Sequence, residues 1–551
     1  MQQPVAPQSP PPSAPPPAHP AAAPPPSAPP HLGPPPPNTQ PPPGMMRTAP
    51  PPPFTVLAPL PIGPLMATPF QRRWPLRTIA ASPLALLIVL GVTLIGMLTI
   101  PLDRPGLGWL LTAVAASGGL VLVGAKDART PKASLAWGAA TVALLAVGTI
   151  RASGWLFVLC VLAAAGCATL SVAGAQSFTG LLIAQWSHVA AVFRALPWAK
   201  RGLARAKLGG NGGTVLRLAV SVGLGLVLLI IFAALFASAD PAFDRVINAA
   251  IPKLDGGTIA RWIFLAIFVG GSLLGAVFLL ANPSTLGEIT AKSAKSVRRL
   301  EWAVPVGAVL IAFGAFVAVQ VTVLFGDRDY VMRTVGLTFA QYARKGFWQL
   351  LVVTLLTLVV MAVAVRVAPR AGRGDRILLR VLLGALATGA LVVVTSALWR
   401  MSVYEEAYGF TRLRVFVSAF EIWLGALFVL MLIAGVRLRA KWLAQAVVAA
   451  WVLTLIGLAV LNPDRFIAEQ NINRYHRGAH LDVPYLSTLS SDAAPALDRL
   501  TGSMRTCALS GIANELRTEP DDWRSYNVAR TTAAPIVDNL DAPGVDCYVR
   551  Y

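Results

Sequence analysis

The sequence has little charge for its size. Only 13% of its 551 residues are charged, whereas 55% are hydrophobic and the mean hydropathy is +0.63. A soluble domain carries about 25% charged residues. The apolar residues also fall into blocks of roughly 20, the length at which a helix spans a bilayer. This composition excludes a soluble globular protein and predicts a multi-spanning membrane protein.

Known catalytic signatures are also missing. We find no phosphate loop, dinucleotide fingerprint, HExxH motif or nucleophile elbow. His476 and His480 are four residues apart, but Arg477 and Gly478 disfavour a helix there and no third ligand is evident. The sequence therefore favours a non-enzymatic protein, with no cofactor and no metal site.

The apolar blocks predict an all-α, polytopic transmembrane helix bundle of about eleven spans. Strand-like alternation is absent, and helices satisfy the backbone polar groups within lipid. The predicted spans are approximately 80–100, 106–125, 133–150, 152–175, 215–238, 259–282, 302–325, 347–368, 377–399, 413–436 and 444–462.

The distribution of Lys and Arg predicts the orientation of these spans. When the N-terminus is placed inside and the spans alternate, the bases gather in inner segments such as 194–207, 292–299 and 366–380. This positive-inside pattern predicts a bacterial cell membrane protein with a cytoplasmic N-terminus and an extracytoplasmic C-terminus. It also accounts for the formal net charge of +21, so we expect no nucleic-acid partner.

The N-terminal segment is dominated by proline. Residues 1–70 contain runs such as SPPPSAPPPAHP, which cannot form a packed core, and we expect a disordered cytoplasmic tail before a membrane domain at 71–462. One interpretation is a tether for a proline-binding partner. The alternative is a solvated extension without a partner.

The C-terminal segment 463–551 has the sequence pattern of a small helical domain. Asn462 and Pro463 suit a helix start. With eleven spans this segment lies outside, where an oxidising compartment permits a disulfide between Cys507 and Cys547, and where a protein partner could bind. The alternative is two free thiols in a cytoplasmic tail.

Two connections have amphipathic patterns. In the inner loop 177–214, Leu182, Trp186 and Phe193 fall near helical spacing ahead of a basic end, which predicts a helix lying on lipid headgroups. In the outer loop 238–257, Asp240 and Pro241 predict the start of a short helix. We expect membrane lipids to be partners of the chain.

The stretch VYEEAYGFTRLRVF, residues 403–416, connects the ninth and tenth spans. Gly409 is expected to break the helix, and Thr411 can cap the next one. The simplest interpretation of its charges is that Glu405 and Glu406 pair with Arg412 and Arg414.

The same stretch could form an outer mouth. Asp327 and Asp329 in the preceding outer loop and Arg400 at the end of the ninth span would contribute to it. A modestly basic, tyrosine-lined mouth could receive an anionic headgroup. The alternative is a network of salt bridges that fixes the helix ends.

Glu421 is the one carboxylate placed deep within a predicted span. Arg414 and Ser418 share its helix face, and Arg400 could approach it. An intramembrane acid is a functional candidate by default. A static ion pair with one of these arginines is one interpretation, and a proton- or ion-coupled site is the other.

Three segments carry a family resemblance. FGDRDYVMRTVGLTFAQYARKGFWQLLVVTLLTL, YEEAYGFTRLRV and NPDRFIAEQNINRY, in this order, resemble a bacterial family of multi-spanning membrane proteins described as a domain of unknown function. The resemblance extends over roughly 80–500. It implies the membrane topology, and it implies no activity, cofactor or catalytic residue.

Three functions are compatible with these patterns. The first is a non-enzymatic, envelope-associated sensor or scaffold. The alternative is a transporter or carrier of a lipid-linked substrate that uses the mouth near 400–414 and Glu421. The third is an integral-membrane transferase with Glu405 or Glu406 as external base; such enzymes usually place acids in the first outer loop, which here has only Asp103.

Overall fold

The structure, a computed structural model, describes most of the chain after the proline-rich segment. The described residues are 74, 80–125, 132–174, 177–206, parts of 217–240, 256–282, 297–325, 339–437 and 442–540. All of them belong to one compact unit, Met66–Tyr551. They form helices and no strand, which confirms the all-α prediction for the described part of the chain.

The membrane part contains eleven labelled helices. They are α1 (Pro83–Thr99), α2 (Leu107–Ala125), α3 (Lys132–Ile150), α4 (Gly154–Ala173), α5 (Phe178–Ala206), α6 (Gly256–Ala281, with a π-helical turn at Ala266–Gly270), α7 (Arg299–Phe325), α8 (Phe339–Val367), α9 (Arg373–Tyr408), α10 (Arg412–Arg437) and α11 (Leu443–Leu461).

Nine of these helices, α2 to α4 and α6 to α11, are long and apolar enough to cross a membrane, counted over the described residues. Helix α1 is shorter, at 17 residues. These ten helices correspond to ten of the eleven predicted spans. The predicted span 215–238 is described in part, and its described residues are helical. The predicted outer helix at 238–257 falls mostly outside the described residues.

Helix α5 has one exposed apolar face and one face that is packed against the bundle. Leu182, Trp186 and Phe193 are exposed, whereas the opposite face packs closely against α6. A Cβ atom added to Gly275 of α6 would lie 3.2 Å from the backbone nitrogen of Val192. The glycine therefore allows close packing of the two helices. The attachment of α5 to lipid headgroups stays a prediction.

The C-terminal segment is a cluster of short helices. They are α12 (Pro463–His476), α13 (Val483–Leu486), a 3-10 turn (Ser491–Ala493), α14 (Ala494–Leu497), α15 (Gly502–Thr518) and α16 (Val528–Asp538). Their apolar side chains form one continuous core with those of α3, α4, α10 and α11. The segment is therefore built onto the membrane helices.

Candidate functional site on the tail face

One end of the helix bundle is covered by the C-terminal segment, and we call this end the tail face. Connections α1–α2, α3–α4 and α9–α10 all bond to the segment. The hydrogen bonds are Arg530 Nη2 to Pro105 O at 2.8 Å, Ala152 N to Asp492 Oδ2 at 2.7 Å and Phe410 N to Asn471 Oδ1 at 2.9 Å. These connections therefore lie on the same face, as the alternating topology requires.

Arg412 and Asp464 form the main ion pair between the bundle and the segment. Asp464 is fully buried, and its oxygens accept from Nε and Nη2 of Arg412 at 3.0 and 2.6 Å and from the Ser490 amide at 2.9 Å. Burial by itself raises the pKa of Asp464, but the bonds and charge of Arg412 outweigh it and leave that pKa lowered. The sequence predicted that Arg412 pairs with Glu405 or Glu406. This prediction is corrected, because the partner of Arg412 is Asp464.

The C-terminal end of α9 is capped by two side chains of α12. Asn471 accepts from Phe410 N and donates to Phe410 O, both at 2.9 Å. Arg474 donates to the carbonyls of Glu406 and Ala407 at 2.7 and 2.9 Å. These carbonyls end a helix and would otherwise lack a partner, so α12 completes the hydrogen bonding of α9.

Gly409 makes this cap sterically possible. It ends α9 with φ of 85°, a backbone region that strongly favours glycine. A Cβ atom there would lie 2.6 Å from Asn471 Oδ1. The next helix begins at Arg412, and Thr411 Oγ1 accepts from Arg414 N at 3.4 Å. The predicted break and cap are confirmed.

Asp492 binds the N-terminal end of α4. Its Oδ2 accepts from the amides of Ala152 and Ser153 at 2.7 and 3.1 Å, and its Oδ1 lies 3.6 Å from Arg151. Burial raises the pKa of Asp492, and the Ala152 amide and the Arg151 charge offset this only in part. Asp464 and Asp492 therefore both attach the segment to the bundle, but their pKa values are shifted in opposite directions.

A cavity of about 250 Å³ opens beside the α9–α10 connection. Helices α8, α9 and α10 and the connection itself supply its lining. The lining residues are Phe347, Trp348, Arg400, Met401, Tyr404, Thr411, Leu413, Arg414 and Val417. The predicted mouth near 400–414 thus coincides with a cavity in the structure.

The cavity combines cationic and apolar walls. The guanidinium of Arg414 lies 4.3 Å from the centre of the Tyr404 ring and donates to the Gly409 carbonyl. Glu405 is buried and within electrostatic range of Arg414, but no ion pair within 4.0 Å joins these two described residues. Trp348 and Leu413 are 53% and 61% exposed and give the cavity an apolar rim.

The remaining predicted site residues lie elsewhere. Glu406 is exposed, and Asp327 and Asp329 fall outside the described residues. Glu421 is 0% exposed on α10, one turn beyond Val417, and neither of its oxygens has a hydrogen-bond donor among the described residues. Of the two interpretations of Glu421, the static ion pair with Arg414 or Arg400 is therefore corrected, since no ion pair joins Glu421 to either residue in the described part of the chain.

Two further predictions concern cysteines and metals. Cys507 is buried in α15, and Cys547 falls outside the described residues, so their pairing stays a prediction. Within the described part of the chain, no group of three or more His, Cys, Asp or Glu side chains could hold a metal ion.

Sequence reasoning missed the residues that fasten the segment. Asp464 follows Pro463 in the first turn of α12, so its position in the sequence indicates the start of a helix and nothing about its partner. Asn471, Arg474 and Asp492 give no local signal, because their partners lie on other helices. The one available signal was that Asp464, Asn471 and Arg474 are spaced to share one face of α12. This spacing does not identify their partners.

Comparison with known proteins supplies the family. The family model described as a domain of unknown function (DUF4153) matches residues 139–500, which is more than half of the chain. The chain belongs to this family. No curated protein and no solved structure matches it. With its apolar helices, it is a multi-pass integral membrane protein, and its function has to be argued from its own geometry.

Proposed function

We propose that the protein is a membrane-embedded sensor whose cavity binds the phosphate-type headgroup of an anionic lipid and whose C-terminal segment responds to that binding. One observation carries the proposal: residues 409–414 serve both parts. Phe410 and Arg412 bind the segment, while Thr411 and Arg414 line the cavity. A ligand that moves Arg414 acts on the connection that holds the segment.

The walls of the cavity favour an anionic amphiphile. Arginine presents several donors and binds phosphate with charge-assisted hydrogen bonds. Arg400 and Arg414 both line the cavity, and the buried Glu405 is within electrostatic range of Arg414. The exposed Trp348 and Leu413 provide an apolar rim for an acyl chain. At about 250 Å³ the cavity is below the roughly 300–1,000 Å³ of drug-sized sites, so it suits a headgroup alone.

The proposed setting is the bacterial cell membrane, with the tail face outside. The concentration of Lys and Arg in the segments opposite that face supports this orientation. An outside segment could also bind a soluble envelope protein, and the proline-rich residues 1–70 could recruit a cytoplasmic partner. Both partners are parts of the proposal.

Lipid retention tests the cavity. The purified protein is placed in phosphatidylcholine nanodiscs with a minor fraction of phosphatidylglycerol, and native mass spectrometry counts the retained phosphatidylglycerol. We expect Arg414→Ala to weaken retention by about tenfold or more, since a charge-assisted hydrogen bond contributes about 1.5–3 kcal/mol. Arg366→Ala removes the same charge at the opposite end of α8 and should leave retention unchanged.

Two outcomes would change the conclusion. If the unaltered protein retains no more phosphatidylglycerol than Arg414→Ala, the headgroup proposal is wrong. If inorganic phosphate in solution displaces the lipid completely, the cavity recognises free phosphate, and the apolar rim has no role in binding.

Glu421 favours a lipid carrier as the second candidate. Its buried carboxyl group has no hydrogen-bond donor among the residues that the structure describes. Such a group is costly in a membrane and often marks a proton-coupled site. A carrier should move fluorescent phosphatidylglycerol between the leaflets of proteoliposomes under a pH gradient. Glu421→Gln should abolish that movement while headgroup retention persists. Absence of movement by the unaltered protein would reject the carrier.

A further inference from the structure

The C-terminal segment carries two exposed aromatic side chains on one short stretch, residues 519–528. Trp523 is 58% exposed and Tyr526 is 43% exposed, and Val528 beside them is also exposed. Trp and Tyr side chains are enriched where membrane meets water. Their depth relative to the membrane therefore decides their role.

Backbone hydrogen bonds fix that depth. The amides of Leu107 and Gly108, in the first turn of α2, donate to the carbonyls of Tyr526 and Arg524 at 3.0 and 2.9 Å. Helix α2 has 19 residues, which corresponds to about 28 Å, close to the ~30 Å of the hydrocarbon layer. The first turn of α2 must lie at the edge of the hydrocarbon, and so must the stretch bonded to it.

The stretch is also held firmly in place. Arg530 is 1% exposed and donates to Pro105 O at 2.8 Å and to Asp521 at 2.9 Å. Asn527 donates to the carbonyls of Gly148 and Arg151 at 2.8 and 2.9 Å and so caps the end of α3. Because these bonds tie the stretch to two spans, it cannot lift away from the membrane surface without breaking them.

Apolar side chains are also exposed at the end of the bundle to which the stretch is bonded. Leu98 of α1, Leu102 of the connection and Leu111 of α2 are exposed at the same end of the bundle. Exposed leucines on these helices form part of the lipid-facing surface. Arg524 bonds to Asp522, and Arg530 bonds to Asp521. Glu519 lies 4.0 Å from Arg104, so each acid of the stretch has a basic partner. The aromatic pair therefore extends a lipid-facing surface without adding a strong charge.

We infer that Trp523 and Tyr526 anchor the C-terminal segment in the headgroup layer of the leaflet at the tail face. The partner of this surface is the lipid interface itself. Amphipathic rings place an apolar body against acyl chains and a polar atom among headgroups. This anchor is independent of the cavity and of the identity of its ligand, because it uses neither arginine of the cavity.

Spin-label accessibility tests the inference in full-length protein in phosphatidylcholine vesicles. A nitroxide is attached at Trp523→Cys, and at Asn514→Cys as control, because Asn514 is exposed on α15, whose main contacts are with other helices of the segment. The signal of the chain without the added cysteine is subtracted. We expect the ratio of oxygen to nickel-chelate accessibility to be several-fold higher at 523 than at 514.

Equal ratios at the two sites would overturn the anchor. Replacing part of the phosphatidylcholine by phosphatidylglycerol should leave the ratio at 523 unchanged, since the two anchoring rings carry no charge. A ratio that appears only with phosphatidylglycerol would also overturn it. Because the stretch is held at this depth, the cost of a charge there should appear as lost stability. Trp523→Tyr retains an amphipathic ring and should keep the Tm of the protein in vesicles, whereas Trp523→Glu should lower it. Equal Tm values of the two variants would count against the inference.

Discussion

The guanidinium of Arg412 and the carboxylate of Asp464 form a two-point ion pair, at 3.0 and 2.6 Å, across 52 positions of the chain. Arg412 begins a membrane helix, and Asp464 lies in the first turn of the segment that covers the tail face. A negative charge in the first turn of α12 is also favoured by the helix dipole. This pair therefore joins the bundle to the segment at the connection that borders the cavity.

Removal of the Asp464 charge should release the segment. In Asp464→Asn the partly buried Arg412 loses its partner, and breaking a buried pair costs on the order of 3 kcal/mol. Glu469→Gln, which breaks the exposed Arg465–Glu469 pair, is the control and should cost about 0.5 kcal/mol or less. Limited proteolysis in detergent reads the effect. Equal cleavage rates in both variants would contradict the role of the pair.

The two buried aspartates should give opposite pH dependences. The pKa of Asp464 is lowered by folding, so its contribution is present above its ordinary pKa, near 4, and is lost as the pH falls through the folded value. The pKa of Asp492 is raised by burial, so its contribution is present at low pH and is lost as the pH rises through the folded value.

Thermal unfolding across pH can separate these contributions. Asp492→Asn removes a group whose stabilising contribution is lost as the pH rises. The stability of the variant relative to the unaltered protein should therefore increase between acidic and neutral pH. As the pH rises through the acidic range just above the folded pKa of Asp464, Asp464→Asn should lose stability relative to the unaltered protein. Parallel stability curves for all three proteins would refute the assignment.

Gly409→Ala should weaken the attachment of α12 to α9. The positive φ and the 2.6 Å approach of Asn471 Oδ1 both oppose a side chain, and a residue held in such a conformation costs about 1–3 kcal/mol. Gly384→Ala, in the middle of α9, meets nothing within 4 Å and should be neutral or slightly stabilising. If thermal unfolding ranks these two variants in the reverse order, the cap has been misassigned.

Ligand binding and attachment of the segment should be coupled. If the α9–α10 connection transmits binding, phosphatidylglycerol should change the rate at which protease cleaves the segment in nanodiscs. Arg414→Ala should remove that lipid effect, so that the cleavage rate is the same with and without phosphatidylglycerol. A lipid effect that persists in Arg414→Ala would separate headgroup binding from the segment.

Thiol labelling tests the side of the membrane. With the segment outside and Cys507 paired with Cys547, a membrane-impermeant maleimide should label whole cells only after reduction. Cys160 and Cys167 are buried in α4 and should stay unlabelled in both cases. Labelling that requires cell disruption would place the tail face in the cytoplasm.

The elements set by local sequence were predictable. Long apolar blocks gave ten of the described helices, because their burial in lipid requires only length and composition. Gly409, Thr411 and Pro463 fixed the helix ends for reasons that hold within a few residues, namely backbone conformation and capping. The family resemblance, carried by three segments in a fixed order, was confirmed by the family model.

The partners of the charged residues were decided by the tertiary structure alone. From the sequence, the nearest acids to Arg412 were Glu405 and Glu406, but α12 brings Asp464 against it and uses Asn471 and Arg474 to cap α9. Glu421 has the right spacing to Arg414 on one helix, yet Arg414 turns towards Tyr404 and Gly409. Spacing along one helix sets which residues share a face. Which of them meet depends on where separate helices pack, and that is determined by the apolar core joining the segment to the bundle.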